Sequence, residues 1–482
     1  MGSLVSPVAP VPLAELGRVH FTGIGGAGMS GIARIMIARG VKVSGSDAAA
    51  SDLLTALAGQ GADVHVGHAA ENIDGADTLV VSTAIRGDNP ELAEARRRGL
   101  RILHRAAALA SVMLGRRGIA VAGTHGKTTT TSMITTILRH SGADPGYVIG
   151  GILTETGLGA GDGSGAEFVA EADESDGSFL MLAPELAIVT SVEADHLDNY
   201  ADLGQIEAAF AAFARRITPG GVLIACTDDP GARALAAAAA AGVRVRTYGE
   251  DPGADYRLTG VRPDGMSVRF GVLSGPQERA GAASPAPLEI AVPGRHNALN
   301  AAAAYTAVLE LGLPSALAGQ AASGLAAYRG ARRRMEPKGE AGGVTVLDSY
   351  AHHPTELAAD LRAARDIGPS GRVIAVFQPH LFSRTRIFAD RFGAALGLAD
   401  EVFVLDVYAA REDPEPGVTG ELVARAVPGG RAVFLPDRVA VPDAVADSAR
   451  PGDRVLTMGA GDVTALGPLI VAALRARAGT PG

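Results

Sequence analysis

The sequence predicts an α/β protein of three domains, each built on a mainly parallel sheet. At 482 residues the chain is longer than one hydrophobic core usually holds, and about three domains is the expected number. Short apolar runs typical of buried strands alternate with helix-compatible segments along most of the chain, which is the pattern of parallel sheets with crossover helices. Glycine-rich loops at residues 23–28 and 123–126 each stand between such a strand and a helix. The predicted domains cover residues 1–113, 114–327 and 328–482.

The first domain opens with a strand at 19–21, a loop that reads Gly-Ile-Gly-Gly-Ala-Gly, and a helix through about Ala38. A second strand at 41–44 leads to Asp47, nineteen residues past Gly28. This spacing is the dinucleotide-binding fingerprint, in which glycines let the backbone approach a diphosphate and the acidic residue binds a ribose. Alone, the fingerprint favours nicotinamide binding but is weak evidence for which nucleotide is bound.

The second domain begins with the stretch Gly123-Thr124-His125-Gly126-Lys127-Thr128-Thr129-Thr130, between an apolar run and a helix-compatible segment ending near His140. Backbone N–H groups of such a loop and helix N-terminus converge on an anion, Lys127 adds a point charge, and the Thr128 hydroxyl can hold Mg²⁺. The usual phosphate-loop pattern has a glycine where this chain has Val121. The strand and helix flanks nevertheless predict a site for nucleotide phosphates.

Two acidic clusters follow predicted strands of the second domain. The run at 168–170 leads to Glu171-Ala172-Asp173-Glu174-Ser175-Asp176, and the run at 187–192 leads to Glu193-Ala194-Asp195-His196-Leu197-Asp198. Strands of a parallel sheet end at the same edge as the glycine loop, so we expect both clusters to face the phosphates. Oxygen ligands suit Mg²⁺, whereas His196 is a less usual ligand for it and points to Mn²⁺ as a substitute. The alternative is that these are solvated loop carboxylates.

Further polar groups precede or follow predicted elements. Asn297 and Asn300 lie three apart at the start of a predicted helix, where both amides could read a base edge or one could cap the helix. In the third domain, Arg334, Asp348-Ser349-Tyr350-Ala351-His352 and Arg384 lie in segments rich in arginine and histidine. Arginines beside phosphate chemistry stabilise transferred charge, although any one of these groups could equally be a surface arginine.

The remaining predicted elements are short. Strands are predicted at 78–83, 102–103, 222–226, 344–347, 373–377, 402–405, 432–435 and 455–458, and helices at 203–216 and 234–241. Residues 250–293 are rich in Gly and Pro, and we predict a β-rich excursion of the second domain there.

Composition restricts the class of partner. The net charge is −9 with no strongly basic block, which argues against nucleic acid. Three arginines at 96–98 follow Glu94, two of them at the i+3 and i+4 spacing of a helix. We therefore predict a solvated helix face on which these charges pair with each other. The single cysteine, Cys226, excludes an internal disulfide and fits a reducing compartment. We see neither a signal peptide nor an apolar stretch of roughly 20 residues, so a cytoplasmic protein without membrane insertion is expected.

Together the motifs resemble the Mur ligases of bacterial cell-wall synthesis over nearly the whole chain, from about His20 to Gly461. In order they read HFTGIGGAGMSGIA, GTHGKTTT, EADESDGSF, EADHLDNY, GRHNALNA, YRGARRRME, DSYAHHPTE and QPHLFSRTR. The resemblance implies a UDP-sugar-binding Rossmann-like domain, a P-loop ATPase-like central domain and a Rossmann-like C-terminal domain that closes over the site. It implies that L-alanine is joined to the lactyl carboxylate of UDP-N-acetylmuramate with ATP and Mg²⁺, by a cytoplasmic bacterial monomer or homodimer.

The resemblance also implies roles for individual residues. For catalysis these are Lys127, Glu171, His196, Arg334, Asp348 and His352. For ATP they are Gly123, Thr124, His125, Gly126, Lys127, Thr128, Thr129, Asn297, Asn300 and Arg334, and for the metal Thr128, Glu171 and His196. For the UDP-sugar they are Gly25, Gly26, Gly28, Asp47, His68, Ser82, Arg105, Tyr350 and Arg384.

Two departures and two alternatives remain open at the sequence level. The family usually has an aspartate where this chain has Ser349, so either Asp348 serves instead or that contact is lost. It often has an arginine where this chain has Leu381, which leaves Arg384 as the better candidate. A recycling ligase that attaches a murein peptide to the same sugar nucleotide has related motifs. A nicotinamide-dependent oxidoreductase would explain the first glycine loop but not the second.

Overall fold

The computed structural model describes residues 5–197, 199–239, 242–274, 287–368, 370–410 and 412–479. These residues form two compact units. The first comprises the described residues within 1–259, 271–288 and 299–328, and the second comprises those within 260–270, 289–298 and 329–482. Each unit is built on the α/β pattern that the sequence predicts.

The first unit contains a five-stranded, fully parallel sheet in the order β3-β2-β1-β4-β5. Its elements are β1 (Val19–Thr22), α1 (Ala27–Ala38), β2 (Val43–Asp47), α2 (Asp52–Gly59), β3 (Asp63–Val66), β4 (Thr78–Val81), α3 (Pro90–Arg98), β5 (Arg101–His104) and α4 (Arg105–Met113). The order in which the chain adds strands to the sheet reverses between β1 and β4. Ligands of such sheets bind outside the carboxyl ends of the strands at this reversal, which is where β1 runs into the first glycine loop.

A second sheet in the same unit positions the second glycine loop. Its elements are β6 (Arg117–Ala122), α5 (Lys127–His140), β7 (Gly146–Val148), β8 (Ala160–Gly161), β9 (Glu167–Glu171), β10 (Leu186–Val189), α6 (Leu203–Ala214), β11 (Val222–Cys226), α7 (Pro230–Ala237) and β12 (Arg244–Gly249). These strands run in the order β12-β11-β10-β6-β9-β7-β8, and all neighbours are parallel except β7 and β8. Strand β6 is therefore central, with β9 and β10 on either side.

In the described part of residues 256–327, three further strands and three helices follow. They are β13 (Tyr256–Asp264), β14 (Ser267–Ser274), β15 (Pro287–Ile290), α8 (Arg295–Glu310), α9 (Ser315–Ala318) and α10 (Ala321–Ala327). Strand β13 pairs with β12 in parallel at Tyr248–Tyr256 and Gly249–Arg257. The β-rich character predicted for 250–293 is confirmed in the described residues, and 275–286 lie outside them.

The second unit contains a six-stranded sheet in the order β16-β17-β21-β18-β19-β20. Its elements are β16 (Glu336–Ala341), β17 (Val344–Ser349), α11 (Pro354–Ile367), β18 (Val373–Phe377), α12 (Phe382–Leu396), β19 (Glu401–Val404), α13 (Gly420–Ala426), β20 (Ala432–Phe434), α14 (Val441–Ser448), β21 (Arg454–Met458) and α15 (Leu466–Ala478). All neighbours are parallel except β16 and β17. This mainly parallel sheet confirms the fold predicted for the third domain.

The structure refines two predictions about helices. The alanine-rich helix begins earlier than predicted, because Asp229 caps it by accepting from the Ala232 N–H, and α7 then runs from Pro230 to Ala237. Residues 240 and 241 of the predicted segment lie outside the described residues. The basic triplet on α3 is self-paired as predicted, since Glu94 lies 2.6 Å from Arg97 and 2.5 Å from Arg98. In the part of the chain that the structure describes, no helix combines the length and apolarity needed to cross a membrane.

Candidate active site

The second glycine loop turns sharply between β6 and α5. Gly123 has φ +136° and Gly126 has φ +80°, both in the region that side chains disfavour. A Cβ on Gly126 would lie 2.4 Å from Asn300 Oδ1, so glycine is also required there by the close approach of α8. Asn300, one of the residues predicted for ATP, is thereby brought against the loop.

The loop is held by the segment that follows β10. The Thr124 N–H donates to Ser191 O at 3.0 Å, and the His125 N–H donates to Ser191 Oγ at 3.0 Å. In return the Glu193 N–H donates to Thr124 Oγ1 at 2.9 Å. These bonds place the second acidic cluster beside the glycine loop. Of that cluster, Asp198 lies outside the described residues.

Lys127, the first residue of α5, points its ammonium back into the loop. Its Nζ donates to Gly123 O at 2.6 Å, Thr124 O at 3.2 Å and Glu174 Oε1 at 2.8 Å. Burial would lower the pKa of Lys127, but the carboxylates of Glu174, Asp173 and Glu171 outweigh it and raise that pKa above its ordinary value. The ammonium is therefore charged and uses all three of its hydrogens within the site.

Thr128 lies beside Glu171, the first residue of the first acidic cluster. The Thr128 hydroxyl donates to Glu171 Oε1 at 3.1 Å, and the Gly150 N–H donates to Glu171 Oε2 at 2.7 Å. A hydroxyl and a carboxylate this close together are hard oxygen ligands of the kind Mg²⁺ prefers. The donor set on this edge of the sheet fits a magnesium ion, and Thr129 is buried in the same helical turn.

His196 lies in the second acidic cluster in a left-handed conformation, with φ +53°. Its Nε2 is 3.6 Å from Glu174 Oε1 and 3.7 Å from Asp195 Oδ2. The structure thus brings the two clusters together around Glu174, whose side chain contacts both Lys127 and His196. This confirms that both clusters lie at one edge of the sheet with the glycine loop.

Arg105 connects the acidic cluster with the first glycine loop. Its Nη2 donates to Asp173 Oδ2 at 2.6 Å, and a Cβ on Gly28 would lie 3.3 Å from its Nη1. Burial would raise the pKa of Asp173, but the charges of Arg105, Lys127 and His196 outweigh it, so the carboxylate stays ionised. The first and second glycine loops therefore belong to one continuous charged region of the first unit.

The other residues predicted for the UDP-sugar lie at the carboxyl edge of the five-stranded sheet. Asp47 Oδ2 accepts the Gly25 N–H at 2.9 Å, and Gly26 caps α1. His68 Nδ1 lies 2.9 Å from Ser46 Oγ, and Ser82 is half-buried in the turn after β4. Sequence reasoning missed Glu91, the buried carboxylate beneath this edge, because no motif marks it.

The second unit holds a cluster around Tyr350. The Tyr350 N–H donates to Arg333 O at 2.6 Å, and the Arg333 and Arg334 guanidinium carbons lie 4.8 and 5.4 Å from the centre of its ring. His352 Nδ1 lies 3.0 Å from Tyr350 O and 3.5 Å from Glu356 Oε2. Three residues predicted for the site, Arg334, Tyr350 and His352, are therefore neighbours.

At position 349, where the family usually has an aspartate, this chain has a serine, and its hydroxyl pairs with the carboxylate of Asp360. Ser349 Oγ donates to Asp360 Oδ2, and Asp360 Oδ1 lies 3.4 Å from His296 Nε2. Asp348 is fully buried, and its two oxygens accept from Thr457 at 2.6 Å and Thr464 at 2.7 Å. Asp348 thus binds the strand β21 and the segment after it, and its predicted catalytic role stays a prediction.

The last two predicted residues of the second unit are buried. The Asn297 side-chain amide on α8 donates to Pro293 O at 2.6 Å, which ties the helix to its own entry turn. Arg384 lies in the first turn of α12 and is 7% exposed.

Comparison with known proteins matches this architecture along most of the chain. Three family models match: the Mur ligase family catalytic domain over residues 18–117, the Mur ligase middle domain over 121–308, and the Mur ligase glutamate ligase domain over 333–461. The chain is 57% identical to the UDP-N-acetylmuramate–L-alanine ligase of Thermobifida fusca, covering 98% of this chain and 100% of that one. It is 56% identical to the ligase of the same name from Kineococcus radiotolerans, covering 96% and 98%.

Solved structures agree with this result. The UDP-N-acetylmuramate-alanine ligase of Thermotoga maritima superposes with a TM-score of 0.79 at 27% identity, covering 95% of this chain and 99% of that one. A murein peptide ligase from Psychrobacter arcticus superposes with a TM-score of 0.69 at 26% identity, covering 95% and 99%. With a sequence match over nearly its whole length and the two glycine loops in place, the chain belongs to the Mur ligase family.

Proposed function

We propose that this Mur ligase joins L-alanine to the lactyl carboxylate of UDP-N-acetylmuramate, converting ATP to ADP and phosphate, in the bacterial cytoplasm. The observation that carries the proposal is the 57% identity over 98% of the chain to a relative named for that reaction. The arrangement of Lys127, Thr128 and Glu171 at the second glycine loop supports the ATP half of it.

The chemistry explains why ATP is needed. An amine forms only a salt with a carboxylate at neutral pH, because the carboxylate is a poor electrophile. Transfer of the γ-phosphoryl group to the carboxylate gives an acyl phosphate, which the alanine amine attacks through a tetrahedral intermediate that then loses phosphate.

Lys127 would stabilise the β- and γ-phosphates in this scheme. Its ammonium now pairs with Glu174, so a phosphate oxygen has to replace that carboxylate or one of the two loop carbonyls. The carbonyls of Gly123 and Thr124 belong to a loop held by backbone bonds, so we expect Glu174 to be the partner that yields. The N–H groups of Gly126 to Thr129, at the start of α5, would surround the phosphates. Gly123, Thr124 and His125 would shape the loop, since the Thr124 and His125 N–H groups already donate to Ser191.

Thr128, Glu171 and His196 would hold Mg²⁺, or Mn²⁺ in its place. When bound, the ion neutralises charge on the transferred phosphoryl group. The Gly150 N–H and the Thr128 hydroxyl orient the Glu171 carboxylate toward that position. Asn297, Asn300 and Arg334 would contact the nucleotide, while Asp348 and His352 keep the catalytic roles that the resemblance implies.

The UDP-sugar would bind at the first glycine loop, along Gly25, Gly26, Gly28, Asp47, His68, Ser82 and Arg105. Tyr350 and Arg384 would contribute from the C-terminal domain, whose proposed boundary lies near residue 327. Since Arg105 now neutralises Asp173, a diphosphate on the loop would compete with that carboxylate for the guanidinium.

The alternatives explain less. Curated relatives that are 52–57% identical carry the name of the alanine-adding ligase. Among solved structures, the alanine-adding ligase superposes with a TM-score of 0.79 and a murein peptide ligase with 0.69, which also favours addition of a single amino acid. An oxidoreductase built on the first glycine loop would leave the second loop and its acidic clusters without a role. We propose a monomer or homodimer as the working form.

The test is a phosphate-release assay with purified protein, ATP, Mg²⁺, UDP-N-acetylmuramate and a panel of amino acids and murein peptides. We expect release only when both the sugar nucleotide and an amino acid are present, with L-alanine preferred. Release that is unchanged when the sugar nucleotide is omitted would contradict the proposal, and release with the peptide but not with L-alanine would favour the recycling ligase.

A further inference from the structure

Beneath the carboxyl edge of the five-stranded sheet lies one buried carboxylate, Glu91, in the first turn of α3. Its Oε2 accepts from Thr22 Oγ1 at 2.8 Å and from Ser46 Oγ at 2.7 Å, and its Oε1 accepts from Asn72 Nδ2 at 2.8 Å. His20 Nε2 lies 3.4 Å away. Glu91 therefore joins the ends of β1 and β2 to the segment after β3.

The hydrogen bonds determine the charge of this group. Burial would raise the pKa of Glu91, but the nearby His20 imidazole and hydrogen bonds from Asn72, Ser46 and Thr22 outweigh it and lower that pKa to about 2. The carboxylate is ionised at neutral pH and can only accept hydrogen bonds.

Because ionised Glu91 can only accept hydrogen bonds, its contact with Ser46 fixes the tautomer of His68. A serine hydroxyl has a single hydrogen, and the Ser46 hydroxyl gives it to Glu91. Ser46 Oγ must then accept in its 2.9 Å contact with His68 Nδ1, so the proton of the imidazole is on Nδ1. A neutral ring with Nδ1–H has a lone pair on Nε2, which makes Nε2 a hydrogen-bond acceptor.

His68 lies just beyond the carboxyl end of β3, beside the end of β2. The side chain is 21% exposed, and within the described residues no group hydrogen-bonds to its Nε2. It follows Gly67, whose N–H donates to Asp47 O at 2.7 Å, so His68 lies next to the acidic residue of the fingerprint. In that fingerprint the acidic residue lies on the ribose side of the nucleotide.

We propose that His68 is a specificity residue whose Nε2 accepts a hydrogen bond from the nucleoside half of the UDP-sugar, with Ser46 and Glu91 as positioning residues that hold its tautomer. The identity of the ligand rests on the proposed function. A diphosphate has no hydrogen to donate at neutral pH, whereas a ribose hydroxyl or the uracil N–H does. The oxygens of Asp47 already accept the Gly25 and Ala48 N–H groups, so His68 supplies a further acceptor at this place.

The first experiment measures the tautomer directly. In ¹⁵N-histidine-labelled full-length protein, long-range ¹H–¹⁵N spectra distinguish protonated from unprotonated ring nitrogens, and the loss of signals in His68→Gln assigns the residue. We expect a protonated Nδ1 and an unprotonated Nε2 at pH 7.5. Ser46→Ala and Glu91→Gln should move the ring toward the Nε2–H form that the solvated histidine side chain favours, whereas Asp88→Asn, on the exposed loop before α3, should not.

A protonated Nε2 in the wild-type protein would overturn the inference, because His68 would then donate to the diphosphate. Because Glu91→Gln removes a buried charge, it could also disturb folding. Ser46→Ala tests the same hydrogen bond without altering a buried charge, and circular dichroism shows whether each variant is folded.

The second experiment measures binding of UDP and UDP-N-acetylmuramate by calorimetry. Loss of one hydrogen bond in His68→Ala should weaken both ligands roughly 3- to 10-fold, since both contain the same nucleoside and UDP lacks only the sugar. His65→Ala, on the exposed side of β3, is the matched control and should bind normally. A loss seen only with UDP-N-acetylmuramate would overturn the nucleoside assignment, while wild-type protein that binds neither ligand would overturn the proposed function itself.

Discussion

Charged side chains at the second glycine loop depend on one another, because they are partly or wholly removed from water. The Lys127 side chain is 14% exposed and the Glu174 side chain 2%, and the buried carboxylate would be costly without its partner. As a pair they keep the ammonium ionised and in place before any nucleotide binds. This explains why Glu174 takes the lysine hydrogen that a phosphate oxygen would otherwise accept.

Replacing Lys127 with alanine tests the position of the ATP site. Loss of an electrostatic donor to the transferred phosphoryl group should cost about 2.7–4 kcal/mol in transition-state stabilisation, a fall of about 10²–10³ in kcat. The measurement is phosphate release at saturating substrates, with the exposed Lys42→Ala as control. Turnover near the wild-type value would mean that ATP does not bind at this loop.

Asp348 offers a second test at the residue scale. Because both of its oxygens accept hydrogen bonds in the core, Asp348→Asn turns one acceptor into a donor facing a threonine hydroxyl. We expect the free energy of unfolding to fall by about 1–3 kcal/mol, measured by urea denaturation. Activity per folded molecule is the second readout, and its loss would support the catalytic role implied by the resemblance.

At the scale of elements, the strand–loop–helix unit from β6 to α5 organises the site. The loop approaches α8 so closely that Asn300 packs against the bare backbone of Gly126. The positive φ of Gly126 serves to aim the N–H groups of the loop and of the first turn of α5 at a common point.

Gly126→Ala should therefore abolish ATP binding, since the new Cβ would lie 2.4 Å from Asn300 Oδ1. Gly142→Ala is the matched control just beyond the other end of α5, because Gly142 has φ +81° but no neighbouring atom within 4 Å of the place its Cβ would occupy. It should cost only the left-handed strain of roughly 1–2 kcal/mol. Equal loss of nucleotide affinity in the two variants, measured by calorimetry, would show that strain and not the contact matters.

Elements that the sequence predicted well share a physical property. Strands such as β6, β11 and β18 are buried on both faces and read as continuous apolar runs. Strand β3, with residues Asp63–Val66, was missed because it lies at the edge of its sheet and exposes Asp63 and Val66. Strand β12 was missed because it carries Arg244 and Arg246, which pair with Glu310 on α8.

At the scale of the whole molecule, contacts inside the first unit join the two parts of the chain that carry the glycine loops. Besides the Arg105–Asp173 pair, Arg39 at the end of α1 donates to both oxygens of Asp162 at 2.6–3.0 Å and to Val112 O at 2.6 Å. Both partners of that pair are largely buried. These bonds connect residues of the first predicted domain with the central one.

Arg39→Ala removes this connection without touching either loop. We expect the free energy of unfolding to fall by about 1.5–3 kcal/mol, since Asp162 loses charged hydrogen bonds. Arg86→Ala, at an exposed ion pair, should change it by less than about 1 kcal/mol. If thermal melting of the two variants coincides, the Arg39 bonds do not join the two parts of the unit.

The sequence by itself determined the fold class, the two glycine loops and the family, because buried strands, helix starts and phosphate loops are encoded by local patterns of apolar and glycine residues. Tertiary structure alone decided the partners of the charged groups. That Glu174 pairs with Lys127, that Ser349 uses Asp360, and that Glu91 sets the hydrogen bonds of Ser46 and His68 all depend on segments far apart in the chain. Their proximity follows from the packing of strands and helices, which no local pattern specifies.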